Sequence, residues 1–366
     1  MALIHGLNDG YGAFLGALLP VLMDQFALSR AWAGLLASVR TSVASFGQLP
    51  LGVVADRGGA RYLALFGPVL TCTAMSLLGV LPSYFALAMA LVAAGVGTAA
   101  FHPAAASLVS AEAQGRGARM ALFSSGGPLG AAAGPLLVAA AVSVLGLRST
   151  PILLVPAALV LVVAARSWPK PQSAQPGKRA ALWNHPQAKP LARLWGMAVL
   201  RDFVGSSYAT FLAVLWRDRG QPLTIASLAL SVFALSEGIG NLLGGRLSDY
   251  LGRKRVIVGS LALAIPLFYL FLITDGPLSF MFLALAGAVL ISSVPVCVVL
   301  GQELVPEQRG LVSGLMMGLA WGVGALLITL VGYLGDQLGL EVALGIVTAL
   351  LIPALILALG LPEPRP

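Results

Sequence analysis

Apolar stretches of about twenty residues alternate with short polar turns from one end of this chain to the other. A helix rises about 1.5 Å per residue, so roughly 20 residues cross a hydrocarbon core of about 30 Å. The pattern predicts twelve membrane-spanning helices, at 2–24, 31–53, 61–81, 84–108, 117–143, 147–165, 191–215, 222–247, 254–273, 277–301, 311–334 and 339–360. One long polar stretch interrupts the alternation. Residues 166–190 hold five prolines and basic residues that include Lys170, Lys178, Arg179 and Lys189, with no acid, which is the composition of a linker. The expected organisation is an all-α membrane protein with a six-helix half at 1–165, a linker at 166–190 and a second six-helix half at 191–366.

The two halves echo each other. The run Gly52-Val53-Val54-Ala55-Asp56-Arg57-Gly58-Gly59-Ala60-Arg61 returns as Gly245-Arg246-Leu247-Ser248-Asp249-Tyr250-Leu251-Gly252-Arg253-Lys254, with Asp56 and Asp249 193 positions apart. Arg116-Gly117 and Arg309-Gly310 share that offset, as do Asp9 and Asp202. Three separated matches at one offset indicate duplication, and parallel duplicated halves are one architecture of membrane transporters.

Composition sharpens this picture. Of 366 residues 58% are hydrophobic and 10% charged, against roughly 25% charged in soluble domains. A soluble core would leave most of these segments without a polar face. The first apolar stretch lacks a basic leader and carries Asp9, so it reads as a first span, not a cleaved signal. Cys72 and Cys297 both fall in spans, so no disulfide framework is expected. A net charge of +8 would suit a nucleic-acid binder, but the cations have a topological explanation. With both termini in the cytoplasm, 16 of the 22 Lys and Arg lie on cytoplasmic segments and only Arg30, Arg148, Arg217 and Arg219 on external ones. No nucleic-acid partner is expected. The 43 glycines include spaced pairs such as Gly130/Gly134, Gly240/Gly244 and Gly314/Gly318, which predict helix–helix seams.

The paired Gly-x-x-x-Asp-x-x-Gly turns resemble the signature loop of the major facilitator superfamily. That loop lies between the second and third helices and again between the eighth and ninth, where both copies fall here. The first copy departs from the pattern in having Ala60 where a basic residue is usual. The resemblance implies a latch on the cytoplasmic side, formed by Gly52, Asp56, Arg57, Gly59, Arg61, Gly245, Asp249, Gly252, Arg253 and Lys254. A carboxylate near a helix N-terminus contributes about 0.3–1 kcal/mol, enough to bias states that differ by a few kcal/mol. A simple topogenic basic turn is the alternative. His5, Asp9 and Leu18-Leu19-Pro20, with Gly95-Val96-Gly97-Thr98-Ala99-Ala100-Phe101-His102-Pro103, resemble the fosmidomycin-resistance group of efflux proteins. The run Ser124-Ser125-Gly126-Gly127-Pro128-Leu129-Gly130 and the following Gly134-Pro135 resemble the Gly-Pro-rich fifth helix of drug/proton antiporters.

Ionisable groups within spans cost roughly 2.5–3.5 kcal/mol each on insertion scales, so they mark function. Here they are His5, Asp9, Arg40, His102, Arg201, Asp202 and Glu237. His5 and Asp9, four apart, share a helix face; they are the expected proton-coupling pair, since His titrates near neutrality. Arg40, His102, Arg201, Asp202 and Glu237 are the expected substrate site, its cations a lobe for an anionic group. For Arg40 and Arg201 a structural ion pair with Asp9, Asp202 or Glu237 stays open, and for His102 a helix-bending His-Pro step. No zinc-spaced Cys/His cluster and no phosphate-cradling Gly-x-x-x-x-Gly-Lys loop occurs, so neither metal, cofactor nor catalysis is expected. The expected function is a monomeric secondary transporter of a bacterial inner membrane that exports a small anionic or amphiphilic compound against protons. A proton-coupled importer and a substrate sensor with the same fold are the alternatives.

Overall fold

In the computed structural model the described residues are 1–110, 116–165 and 186–363. No β-strand occurs among them. The described residues make twelve helical passes. In the first half they are α1 (Ala2–Gly12 and Phe14–Phe26), α2 (Arg30–Phe46 and Gln48–Val54), α3 (Ala60–Ser76), α4 (Tyr84–Ser110), α5 (Arg116–Leu145) and α6 (Leu154–Ala165, after a 3-10 segment Leu147–Leu153). In the second they are α7 (Ala188–Asp218), α8 (Leu223–Leu251), α9 (Arg253–Ile273), α10 (Gly276–Leu304), α11 (from Arg309–Ser313 through to Ile328–Leu338) and α12 (Leu340–Ala349 and Leu351–Leu359). Nine stretches among the described residues are long and apolar enough to cross a membrane, and one of these, Arg30–Val80, contains two passes, α2 and α3. The expected twelve-helix fold in two parallel halves is the one observed.

Helix ends differ from the expected ones by a few residues. α7 begins at Ala188, inside the expected linker. Pro190 then sits in its first turn, where a missing N–H leaves no hydrogen bond unmade. Residues 166–185 of that linker lie outside the described residues.

The same pairings recur in both halves. α1 packs on α5 as α7 packs on α11; α2 and α3 pack on α4 as α8 and α9 pack on α10. Lipid tails are as apolar as leucine, so helices in a bilayer associate through close backbone contact, not through burial of apolar area. The glycine pairs supply that contact. A Cβ at Gly130 would lie 1.9 Å from the Gly6 carbonyl oxygen, and one at Gly134 2.0 Å from that of Gly10. In the second half Gly240 and Gly244 of α8 stand equally close to the carbonyls of Ala288 and Ser292 on α10.

The halves meet along α2 and α11, α5 and α8, and α1 and α7. The α2–α11 contact is backbone to backbone at the ends remote from the two chain termini, and at mid-span it runs through the Phe46 ring against Gly322. There a Cβ at Gly332 would lie 2.1 Å from the Arg30 carbonyl oxygen. The Asp336 carboxylate accepts the backbone N–H groups of Arg30 (2.8 Å) and Ala31 (3.0 Å). Arg30 also pairs with Asp218 at 2.8 Å, and Arg217 with Asp24 at 3.1 Å. Towards the termini the packing loosens to ordinary van der Waals distance: a Cβ at Gly314 or Gly318 would find no heavy atom across the interface nearer than 3.9 Å. The halves thus form a wedge, shut at one end and open at the other.

Candidate functional site

Two constellations occupy the interior, one within the first half and one between the halves. The first is centred on Asp9. His5 lies one turn back on α1, and its Nε2 is 3.1 Å from Asp9 Oδ2. His102, on α4, brings its Nε2 to 3.0 Å from Asp9 Oδ1. The Asn8 amide, fully buried, donates to the same oxygen at 3.0 Å. Behind the cluster, His5 Nδ1 lies 2.8 Å from the Phe123 carbonyl oxygen of α5, with the two rings stacked 4.4 Å apart. Gly127 on α5 closes the other side; a Cβ there would come within 2.7 Å of Asp9 Oδ2.

These contacts determine where one proton sits. A backbone carbonyl only accepts, so His5 Nδ1 must donate. In a neutral ring Nε2 would then also be an acceptor, facing a carboxylate oxygen that is an acceptor too. The His5–Asp9 contact therefore needs one additional proton, held on the imidazole or on the carboxyl. His102 can remain neutral and donate through Nε2. His5, Asp9 and His102 are also the one group among the described residues whose donor atoms, all within 4.8 Å of each other, could hold a metal ion. Their mutual hydrogen bonds already account for their positions.

The second constellation lines a cavity of about 210 Å³ at the junction of the halves. α1, α2 and α5 contribute Gly12, Ala13, Arg40 and Pro135 from one side, and α7 and α8 contribute Ser206, Thr210, Phe233 and Glu237 from the other. Arg40 lies against α1 one turn beyond Asp9, where glycine leaves room: a Cβ at Gly12 would be 2.4 Å from Arg40 Nη2. Arg40 Nε is buried without a hydrogen-bond partner.

Of the expected substrate residues, Arg40 and Glu237 reach this cavity. His102 is turned to Asp9. Arg201 and Asp202 do not line it: both are buried, and the guanidinium grips the adjacent carboxylate through Nε (2.9 Å) and Nη2 (2.8 Å). Nη1 turns to Ser293 and Cys297 on α10, each at 3.4 Å. That geometry is the structural ion pair left open above. The repeat-related acids thus have different partners, two imidazoles for Asp9 and a guanidinium for Asp202. Asn8 and the Phe123 carbonyl were not singled out from sequence. A fully apolar setting for an Asn beside an Asp is the one signal that could have found the first.

The two signature turns also differ. Gly252 takes φ +92° in the second. Its repeat partner Gly59 has φ −78°, and the left-handed residue is instead Gly58, at φ +98°. In the second turn Arg253 donates to Asp249 (2.5 Å) and Ser248 (2.6 Å) and approaches Glu303 of α10 at 3.4 Å. Among the described residues Asp56 makes no hydrogen bond or ion pair, and no ion pair links either turn to the opposite half. The side chains at the start of α5, Arg116 to Arg119, lie outside the described residues.

Known proteins share this arrangement. The profile of the Major Facilitator Superfamily matches residues 1–201 and again 194–366. The Fosmidomycin resistance protein of Escherichia coli is 28% identical over 356 residues, covering 93% of this chain and 86% of that protein. An uncharacterised MFS-type transporter of Bacillus subtilis, YfnC, is 30% identical over 359 residues with the same coverage. Among solved structures, a bacterial homolog of the human lysosomal transporter Spinster, inward-facing and occupied, superposes with a TM-score of 0.84 at 17% identity, covering 98% of this chain and 94% of that one. A variant of the nucleoside transporter NupG follows at 0.78 and 17%, covering 98% and 97%. Duplicated halves, paired signature turns and a profile that matches both halves place the chain in one family: it belongs to the major facilitator superfamily.

Proposed function

We propose that this transporter exports a small anionic or amphiphilic compound in exchange for protons, from a bacterial inner membrane with both termini in the cytoplasm. The observation that carries the reading is the His5–Asp9 contact, which calls for a proton, one helical turn from the cavity-lining Arg40. When the His5–Asp9 pair gives up this proton its net charge becomes more negative by one next to the cavity, so proton release and solute binding share one electrostatic field. The halves rock about that cavity, opening it to one side at a time. The wedge described above is the state open towards the termini, hence towards the cytoplasm in this topology. The paired turns then act as the latch that closes that side in the opposite state.

Export agrees with the name of the Escherichia coli relative, and fosmidomycin is accordingly the first solute to try. In proteoliposomes loaded at acidic pH, an exchanger accumulates labelled fosmidomycin as protons leave. With an alkaline lumen it does not. Accumulation only with the alkaline lumen would make the protein an importer by symport. Binding of fosmidomycin without flux under either gradient would make it a sensor.

A further inference from the structure

The central cavity holds two ionisable side chains, one basic and one acidic, and neither has a partner. Arg40 enters from α2 in the first half and Glu237 from α8 in the second. No ion pair joins them, and no hydrogen bond reaches either side chain from the described residues. The charges that could have neutralised them are engaged elsewhere. Asp9, the acid nearest Arg40, is bound by His5 and His102. Arg201, the buried cation of the second half, is spent on its neighbour Asp202 and not on Glu237. An unpaired ion at this depth costs several kcal/mol. A guanidinium and a carboxyl in one cavity, on opposite halves and without partners, are an arrangement that an incoming molecule completes.

We infer that the cavity takes a small zwitterion, its phosphonate or carboxylate on Arg40 and its ammonium on Glu237. This rests on the transport reading for the site's purpose, but the ligand class follows from the two charges alone. A guanidinium presents a fork of N–H donors that matches an oxyanion, and a carboxylate accepts from an ammonium. Ser206, Thr210 and Thr41 add hydroxyls between the two poles. A cavity of about 210 Å³ suits a small solute such as an aminoalkyl phosphonate. Because each pole belongs to a different half, a zwitterion tethers α2 to α8, and a solute with only one charge does not.

The test is calorimetric binding to the full-length protein in nanodiscs, with three solutes of one skeleton: aminopropylphosphonate, propylphosphonate and propylamine. The zwitterion is expected to bind about ten- to a hundredfold more tightly than either single-charge analogue, the range for a hydrogen bond to a charged group. Arg40→Gln should reduce its affinity to that of propylamine, and Glu237→Gln to that of propylphosphonate. Where a single variant fails to fold, the exchange variant Arg40→Glu with Glu237→Arg keeps both charges and should recover the preference for the zwitterion. Equal affinities of the wild type for aminopropylphosphonate and propylphosphonate, or no binding of any of the three, would overturn the assignment. Flux assays separate the two readings. Zwitterion-selective binding without flux refutes transport and keeps the ligand class; flux of fosmidomycin without zwitterion preference does the reverse.

Discussion

Substituting Gly332 with alanine should open the end of the molecule that is shut here. The added Cβ would lie 2.1 Å from the Arg30 carbonyl oxygen, 2.5 Å from its carbon and 2.8 Å from the Ala31 nitrogen, all backbone atoms of the opposite half. Backbone cannot swing aside as a flexible side chain does, so α2 and α11 must separate. Overpacking of this kind costs about 1–3 kcal/mol. The cost falls on the state in which these helices touch and is absent from the state in which they are apart. A differential of that size changes a two-state ratio by roughly 5- to 150-fold. Spin labels at Ser83 and Gln337 report the shut end, and labels at Tyr62 and Tyr250 the open one. The Gly332→Ala distance distribution should lengthen at the first pair and shorten at the second. Gly314→Ala on the same helix is the control, since its Cβ would meet only a Leu49 methyl at 3.9 Å. Unchanged distributions in Gly332→Ala, or equal shifts in both variants, would refute the assignment of this contact to one state.

Asp9→Asn should leave a folded protein that has lost gradient-driven flux, because a carboxamide carries no proton; counterflow in proteoliposomes, which needs no net proton movement, should persist, and wild-type gradient dependence would remove Asp9 from the coupling role. Asp202→Asn should lower stability by about 3–5 kcal/mol by leaving Arg201 buried and unpaired, read as a fall in melting temperature, whereas Arg201→Met with Asp202→Leu should recover most of it; full stability of the single variant would show the pair to be dispensable. Asp56→Asn and Asp249→Asn should weaken closure of the cytoplasmic side and lengthen the Tyr62–Tyr250 distance in the outward-open population; if neither variant moves that distance, the turns serve only to orient the chain.

The architecture was legible because the bilayer imposes length and polarity on every pass, and duplication displayed the turns twice. The His5–Asp9 contact was equally legible, since residues four apart share a helix face. The third member, His102, lies 93 positions from Asp9, and only the packing of α4 against α1 brings them together. Arg201 and Asp202 show the opposite difficulty. Neighbours on a helix point about 100° apart, so adjacency argues against contact. The long arginine side chain nevertheless curls round to the carboxylate, and burial on α7 removes any competing water. Arg40 and Glu237 sit on different halves, and no periodicity within either half relates them. The extra glycine at position 58 predicted nothing by itself, yet it moves the left-handed residue of the first turn one place from its counterpart in the second.

Helices in backbone contact cannot roll independently. Gly6 and Gly10 against Gly130 and Gly134 bind α1 to α5, with His5 and Asp9 on the N-terminal part of α1 and the Phe123 carbonyl facing them from α5. α5 in turn bears on the opposite half at α8, where Pro128 abuts Gly238. The path from Asp9 to the far half thus runs through backbone contacts, and its weak points are the prolines Pro128 and Pro135 inside α5, where the helix lacks backbone hydrogen bonds.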